Sequence, residues 1–277
     1  MSQPRRRLLD ALRTYWRNIP WGRTVRLDAH RVVVCDLLHF AKRVPSIPVQ
    51  RTMNLAVVQD ARLAAERRIS WAVLFTKAFA KVAEEMPELR RCYLGFPAER
   101  LYEHPESVAS ISVEKKFADG HRLAFAKLTR PESRSLVALD RYLKRFAARD
   151  DSNMGVARLA IKVARLWRPL RLAVWWAGLN LSGTFRSRRL GTFGVSVYSS
   201  LGAESLHPIA PLPFLLNYGV IASDGTVDVR VIYDHRVLDG ATIARALAAL
   251  EATLNGSIAR ELQLARQARR QLVLAIA

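Results

Sequence analysis

A histidine and an aspartate near the carboxyl end of the chain have types and a spacing suited to proton-transfer chemistry. His235 lies where a strand-like pattern gives way to a helix-like one, and Asp239 follows four residues later. A neutral imidazole accepts protons near pH 7, so a histidine fixed between two rigid elements is a candidate general base. The aspartate can fold back to brace the turn. Because an isolated histidine at a strand end is more often structural than catalytic, its surroundings have to decide between the two interpretations.

The residues on either side predict the strand and the helix that position His235. Upstream, the valines of 227–231 alternate with charged residues, the period expected of a strand with one better-buried face. A Ser-Asp-Gly sequence at 223–225 predicts a tight turn into that strand. Downstream, residues 241–254 are rich in Ala and Leu at helical spacing. The histidine is therefore expected at a strand-to-helix junction.

Helical and strand patterns alternate along the rest of the chain. The predicted helices span residues 30–43, 69–86, 133–148 and 258–277. The predicted strands span residues 51–58, 108–117, 122–128, 190–197 and 214–221, with a hairpin turn at Asp119-Gly120. Such alternation would suit a doubly wound parallel sheet, but no Gly-rich first turn supports that fold.

Three short segments and one helix carry a more specific signal. Residues 234–241 read Asp-His-Arg-Val-Leu-Asp-Gly-Ala, residues 191–196 read Gly-Thr-Phe-Gly-Val-Ser, and residues 207–213 read His-Pro-Ile-Ala-Pro-Leu-Pro. The helix at 69–89 ends in Pro-Glu-Leu. Together they resemble the acyltransferase cores of 2-oxoacid dehydrogenase complexes, a family that shares its fold with chloramphenicol acetyltransferase. The likeness covers roughly residues 25–255.

The resemblance implies an α/β domain with the two-layer chloramphenicol acetyltransferase fold, a mixed sheet covered by helices. It makes His235 the general base of acyl transfer from a thioester, and Ser196 a hydroxyl donor to the tetrahedral oxyanion rather than a nucleophile. Asp239 would fix the loop through an ion pair with Arg31. The spacing of 39 residues (235 minus 196) between Ser196 and His235 is shorter than in complex-forming cores.

The resemblance also implies partners. We expect a homotrimer with active sites between subunits, the histidine coming from one subunit and the serine from its neighbour. The donor would be an acyl-coenzyme A or carrier-protein thioester, and the acceptor a small or lipid-like molecule. Residues 1–24 are too few for a lipoyl domain and its swinging linker, so we expect a free-standing acyltransferase without a covalently bound lipoyl group.

An alternative is a catalytically inactive trimeric scaffold, or a membrane-surface protein that binds partners. The joint presence of Ser196, His235, Asp239 and Arg31 argues against it, because a scaffold does not need these four residues together.

The segment 154–189 departs from the family, whose cores usually have a compact link there. It is both apolar and basic, and its charges interrupt every apolar run before the roughly 18 to 20 residues of a spanning helix. Pro169 and Gly178 suggest two helical pieces. Two interpretations remain open: a membrane-interface or acyl-chain-binding segment, favoured by Trp together with Arg, or a helical pair packed on the domain or the oligomer. The first predicts lipid-like substrates.

Length and charge limit the remaining classes of function. The 277 residues, half of them hydrophobic, fit one large domain, which we place at 25–257 between a basic arm at 1–24 and a tail helix at 258–277. The arm could form a short amphipathic helix near residues 8–16. The tail helix should be solvated or contact another subunit.

A net charge of +20, from 44 Lys+Arg against 24 Asp+Glu, favours anionic partners such as nucleic acid, anionic lipid or coenzyme A. Arginines scattered through a chain can equally reflect the base composition of a genome. Nucleic-acid binding rests on charge alone, with no recognised motif, so no nucleic acid is expected.

The two cysteines and the histidines other than His235 show no metal-ligand spacing, so no metal is expected. No apolar signal-peptide core follows the basic N-terminus, which predicts a cytoplasmic protein, peripheral to a membrane in one of the two interpretations above.

Overall fold

The protein is described by a computed structural model over residues 13–17, 22–117, 120–148 and 155–276. Most of the predicted basic arm, and Asp119 of the predicted hairpin turn, lie outside these residues. The strands, in chain order, are β1 (Ser46–Asn54), β2 (Arg91–Leu94), β3 (Arg100–Glu103), β4 (Val108–Phe117), β5 (Gly120–Thr129), β6 (Phe193–Val195), β7 (Phe214–Tyr218) and β8 (Thr226–Asp234).

Six of these strands form one mixed sheet in the order β1-β8-β7-β6-β4-β5. The short strand β6 runs parallel to both of its neighbours, β4 and β7. The other three pairs in the sheet are antiparallel. A separate antiparallel hairpin is formed by β2 and β3. The mixed sheet predicted by the resemblance is therefore confirmed, and a doubly wound parallel sheet is excluded.

Helices cover the sheet. In chain order they are α1 (Ala29–Ala41), α2 (Ala56–Ala64), α3 (Trp71–Glu85), α4 (Leu136–Ala148), α5 (Gly155–Ala164), α6 (Arg168–Asn180), α7 (Gly183–Leu190), α8 (Gly240–Thr253) and α9 (Ala259–Ile276). The apolar stripe of α3 supplies the centre of the core: Phe75 stacks on Tyr218 with ring centroids 4.1 Å apart, and Phe79 packs 4.7 Å from Phe193. Helices α3 and α8 lie against each other, so the core forms between one helical layer and one face of the sheet.

The opposite face of the sheet, called here the second face, carries many polar residues and is buried on its central strands β7 and β8. Arg230 of β8 is 7% exposed, donates to Gln50 at 2.5 Å and pairs with Glu204 at 2.7 Å. Glu204 belongs to the segment 196–213 between β6 and β7, so this segment covers part of the second face. The predicted turn at 223–225 is confirmed, with Gly225 at φ 84°.

One strand prediction is wrong in its bounds. The sequence predicts a strand over 51–58, whereas β1 spans Ser46–Asn54 and α2 begins at Ala56. Pro48 interrupts the strand pattern, yet it lies inside β1, opposite Ile232. The reason is position: β1 is an edge strand, and a proline without an N–H is tolerated there but not in the middle of a sheet.

The inserted segment folds as three helices, α5, α6 and α7, instead of the two predicted pieces, and it packs on the domain. Pro169 lies at the start of α6 as expected, whereas Gly178 lies inside that helix. Arg171 of α6 and Asp36 of α1 form a mostly buried ion pair of 2.6 Å. Gly183, at the start of α7, lies so close to the Tyr102 ring of β3 that any larger side chain would clash with it. Within the described residues, no helix combines the length and apolar character that crossing a bilayer requires.

The tail helix α9 begins close to where the sequence predicts it, after a π-helical turn at Leu254–Ile258. Its first turn is not solvated as expected, because Leu262 is buried and Glu261 pairs with Lys77 of α3 at 2.5 Å. This part of α9 therefore belongs to the core.

Candidate active site

His235 lies directly after β8, and backbone hydrogen bonds fix the chain on both sides of it. The His235 N–H donates to the Pro45 carbonyl at 3.1 Å, and the Val237 N–H donates to the Asp234 carbonyl at 2.9 Å. Three residues later α8 begins, with the carbonyl of Asp239 accepting from Thr242. The predicted strand-to-helix junction is present, and it leaves little freedom for the histidine backbone.

The His235 ring is held in a defined orientation. Its Nδ1 lies 2.9 Å from the carbonyl oxygen of Leu238, and the ring meets Tyr233 edge-on with centroids 5.7 Å apart. A carbonyl oxygen can only accept, so this contact assigns the hydrogen to Nδ1 and leaves the lone pair of a neutral ring on Nε2. The side chain is 46% exposed. Nε2 is therefore an accessible proton acceptor.

Asp239 does not brace the loop in the expected way. Its carboxylate is 88% exposed, and its Oδ1 lies 3.9 Å from His235 Nδ1, beyond hydrogen-bond distance. Among the described ion pairs none joins Asp239 to Arg31, whose backbone N–H instead bonds the Asp28 carboxylate at 2.7 Å. Elsewhere on α1, the buried Asp36 is bound by Arg171 of the inserted helix α6, so the insertion anchors this helix.

A different carboxylate stabilises the histidine turn. Asp234 is fully buried and accepts two hydrogen bonds from the Arg236 guanidinium, at 2.9 and 2.7 Å, and one from the Arg236 N–H at 3.1 Å. The guanidinium lies 4.2 Å from the centroid of the Tyr93 ring, on the β2–β3 hairpin. Asp234 and Arg236 belong to the segment 234–241 that carries the resemblance, but the sequence alone assigned neither of them this role. The available signal in the sequence was an acidic and a basic residue on either side of the candidate base His235.

Ser196 lies where β6 leaves the sheet. Its N–H donates to the Leu216 carbonyl at 3.1 Å, and its own carbonyl accepts from the side chain of Asn217 at 2.5 Å. One residue earlier, the Val195 carbonyl accepts from the Ser112 hydroxyl at 3.1 Å. The half-buried Ser196 hydroxyl has no hydrogen-bond partner among the described residues, so it is available as a donor.

Asn217 is the residue at this end of the sheet that sequence reasoning missed. It is completely buried on β7, and its Oδ1 has no partner within the described chain. A polar residue inside an otherwise apolar strand pattern is the signal that could have indicated it.

A half-buried lysine lies close to this region. Lys127 of β5 donates to the Ser110 hydroxyl at 3.1 Å and to the carbonyl of Leu190 at the end of α7. Burial lowers the pKa of Lys127 to about 7. The sheet near Ser196 therefore contains a cation that is costly to keep charged.

One chain does not bring His235 and Ser196 together. Asp234 bonds Pro213 just before β7, whereas Ser196 is aligned with Asn217 near its other end. Four residues of strand therefore separate them, about 13 Å at ~3.3 Å per residue, and two strand spacings add about 10 Å sideways. The two side chains are too far apart to reach one carbonyl group within a single chain.

The segment 207–213 lies in the connection from the end of β6 to the start of β7. His207 Nε2 lies 3.0 Å from the Ser46 hydroxyl, next to the residue that holds the His235 backbone. The buried Arg186 of α7 donates to the carbonyls of Pro211 and Tyr93, at 3.2 and 2.6 Å. The inserted helices are thus connected to the loops around His235. In the described part of the chain no cluster of three or more His, Cys, Asp or Glu side chains could hold a metal ion.

Comparison by sequence finds no match to any protein-family model or curated protein. Comparison of structures does. A dihydrolipoamide acetyltransferase from Azotobacter vinelandii, 18% identical, aligns over 87% of this chain and 94% of its own with a TM-score of 0.63. A probable dihydrolipoamide acetyltransferase from Listeria monocytogenes, also 18% identical, aligns over 84% and 94% with a TM-score of 0.62.

The catalytic core of a 2-oxoacid dehydrogenase complex from Thermoplasma acidophilum, 16% identical, aligns over 85% of this chain and 99% of its own, with a TM-score of 0.61. At these identities the likeness establishes the fold. The chain therefore has the α/β fold of the acyltransferase cores that its motifs resemble.

Proposed function

We propose that the protein is an acyltransferase that moves an acyl group from a coenzyme A or carrier-protein thioester to a small acceptor. The observation that carries this proposal is the state of His235: the bond from Nδ1 to the Leu238 carbonyl leaves an exposed Nε2 as a base on a rigid strand end. The fold supports it, because the structures that align over most of the chain are acyltransferase cores.

In the proposed reaction, His235 Nε2 removes the proton from the hydroxyl, amine or thiol of the acceptor as that atom attacks the thioester carbonyl. The Ser196 hydroxyl donates a hydrogen bond to the oxygen that becomes negative. The tetrahedral intermediate then collapses, the carbon–sulfur bond breaks, and the thiolate takes the proton from His235. The histidine returns to its neutral form, and no acyl group is attached to the protein.

The two side chains would come from different subunits, because one chain holds them too far apart. We propose the homotrimer that the resemblance implies. In the aligned Azotobacter protein a serine, a histidine and an asparagine have been examined for roles in the catalytic mechanism. A related structure forms the cubic core of a pyruvate dehydrogenase complex, which shows that this fold can support large assemblies.

A lipid-like acceptor is favoured by the place of the inserted helices. Trp176 of α6 contacts Phe96 of the β2–β3 hairpin at 5.4 Å, and the same hairpin carries the Tyr93 ring against Arg236. Aromatic contacts of this hairpin therefore link the insertion to Arg236, the residue that follows the base.

The test is release of free coenzyme A from acyl-coenzyme A donors of increasing chain length, with lipid, amine and alcohol acceptors. Wild type should turn over at least one pair, and His235→Ala should lower that rate about 10²- to 10⁴-fold. Light scattering and a thermal melt on both proteins show whether the oligomer is retained. Undiminished release by a properly assembled His235→Ala protein would exclude the enzyme and leave the scaffold.

A further inference from the structure

The inserted helix α6 exposes an apolar stripe on its outer side. Trp167 immediately precedes the helix, and Leu170, Val174 and Leu181 follow at spacings of three, four and seven residues, which place them along one side of a helix. Trp167 is the most exposed, at 76%. These four residues are called the α6 stripe.

The stripe is presented by a helix that is fixed to the domain. The side of α6 that faces the domain carries the buried Leu179, and Arg171, one turn after Trp167, extends its guanidinium inward to the ion pair with Asp36. At the end of the insertion, Arg186 is buried and bonds three carbonyls, those of Tyr93, Leu179 and Pro211. Because the inner side already has its partners, the outward orientation of the stripe follows from the packing of the insertion.

The charge around the stripe has a single sign. Residues 155–190 contain eight Lys and Arg and no Asp or Glu. Arg171 and Arg186 are used inside the fold, whereas five further cations are exposed: Lys162, Arg165, Arg168, Arg188 and Arg189. An apolar stripe with a tryptophan at one end and exposed cations before and after it along the chain is complementary to a bilayer surface, which is apolar inside and anionic at the headgroups.

We propose that the α6 stripe docks the protein on the surface of an anionic lipid bilayer. The stripe enters the boundary between headgroups and acyl chains, and the flanking cations contact lipid phosphates. The protein lies on the membrane without crossing it. This proposal does not depend on acyl transfer, because its test measures binding alone.

Vesicles of phosphatidylcholine mixed in equal parts with phosphatidylglycerol are sedimented with the full chain, beside vesicles of phosphatidylcholine alone. Wild type should sediment with the anionic vesicles, much less with the neutral ones, and less as salt is raised. The triple variant Trp167→Ser, Leu170→Ser, Val174→Ser should bind the anionic vesicles at least about tenfold more weakly.

A matched control is available elsewhere on the surface. Val57, Leu63 and Leu264 have apolar side chains that are about half exposed, and they belong to α2 and α9. Changing these three to serine removes as many exposed apolar side chains as the stripe variant does. This control should bind the anionic vesicles like wild type.

Three results would overturn the proposal: no binding by wild type, equal binding by the stripe variant, or equal loss in stripe and control variants. A stripe variant that binds lipid normally but changes its mass in solution would show that the stripe contacts protein instead. If the triple variant does not fold, Trp167→Ala decides, because removing so exposed a side chain leaves the core intact. Its affinity for the anionic vesicles should fall several-fold.

Discussion

The two strand ends that would share the chemistry are stabilised in different ways. At the end of β8, the side-chain hydrogen bonds are local: the Leu238 carbonyl holds the His235 ring, and the neighbouring Asp234 and Arg236 hold each other, while the His235 backbone N–H reaches the distant Pro45 carbonyl. At the end of β6, Ser196 is positioned by Asn217, 21 residues away along the chain. Its neighbour Val195 is held by Ser112, 83 residues away.

This difference explains why the two strand ends are not equally easy to recognise in the sequence. A histidine whose ring contacts lie within four residues leaves a compact motif, while a serine whose partners lie on separate strands leaves a weak one. It also predicts different responses to mutation: the histidine end should depend on its own side chain, and the serine end on a buried polar network assembled by the whole sheet.

The largest expected effects come from removing the side chain of Ser196 or that of His235. Ser196→Ala should lower coenzyme A release about 10²- to 10³-fold, the usual cost of one oxyanion donor, and thus no more than His235→Ala. Ser112→Ala is the matched control, because it removes a neighbouring hydroxyl whose hydrogen bond within the described residues is to the Val195 carbonyl. It should change the rate a few-fold at most. Equal losses for the two serines would contradict the role given to Ser196.

Replacing Asn217 tests whether its hydrogen bond to the Ser196 carbonyl positions that serine. Asn217→Leu removes the donor to the Ser196 carbonyl and also a buried oxygen that has no partner in the described chain, so stability should change by only about 1 kcal/mol. Without this hydrogen bond Ser196 should be displaced, which should lower the rate of coenzyme A release about tenfold. In a Ser196→Ala background the same change should have little further effect on the rate. Additive losses would show that Asn217 acts independently of Ser196.

Lys127 should give the smallest effect, seen in stability rather than activity. Between pH 7 and its ordinary pKa of 10.5, the folded lysine is largely neutral while the unfolded one keeps its proton. The unfolded state then binds more protons, so this group makes stability rise with pH across that window. Urea midpoints from about pH 7 to 9 should rise for wild type relative to Lys127→Met. Parallel profiles would show that the lysine is not desolvated.

The sequence predicted those parts of the fold whose signals are local. The strand before His235, the helix after it, the turn at Gly225 and the mixed sheet are confirmed. The bounds of β1 were predicted wrongly, because whether Pro48 is tolerated depends on the strand being at an edge. That is a property of the assembled sheet.

Arg31 and Asp239, which the resemblance pairs, form no ion pair within the described chain. The sequence gives no indication that Asp36 of the same helix would bind Arg171 from an inserted segment 135 residues away (171 minus 36). Asn217, Arg230 and Lys127 were likewise missed, since their polar atoms find partners only after distant strands come together.

The claim that one active site takes His235 from one subunit and Ser196 from the next has a direct test. His235→Ala and Ser196→Ala chains, each inactive alone, are unfolded together in equal amounts, refolded and assayed for coenzyme A release. Each shared site needs an intact histidine from one chain and an intact serine from its neighbour, and in random mixing each is intact in about half of the cases. The mixture should therefore recover about one quarter of wild-type activity. Mixed oligomers that assemble normally but recover no activity would contradict the shared site.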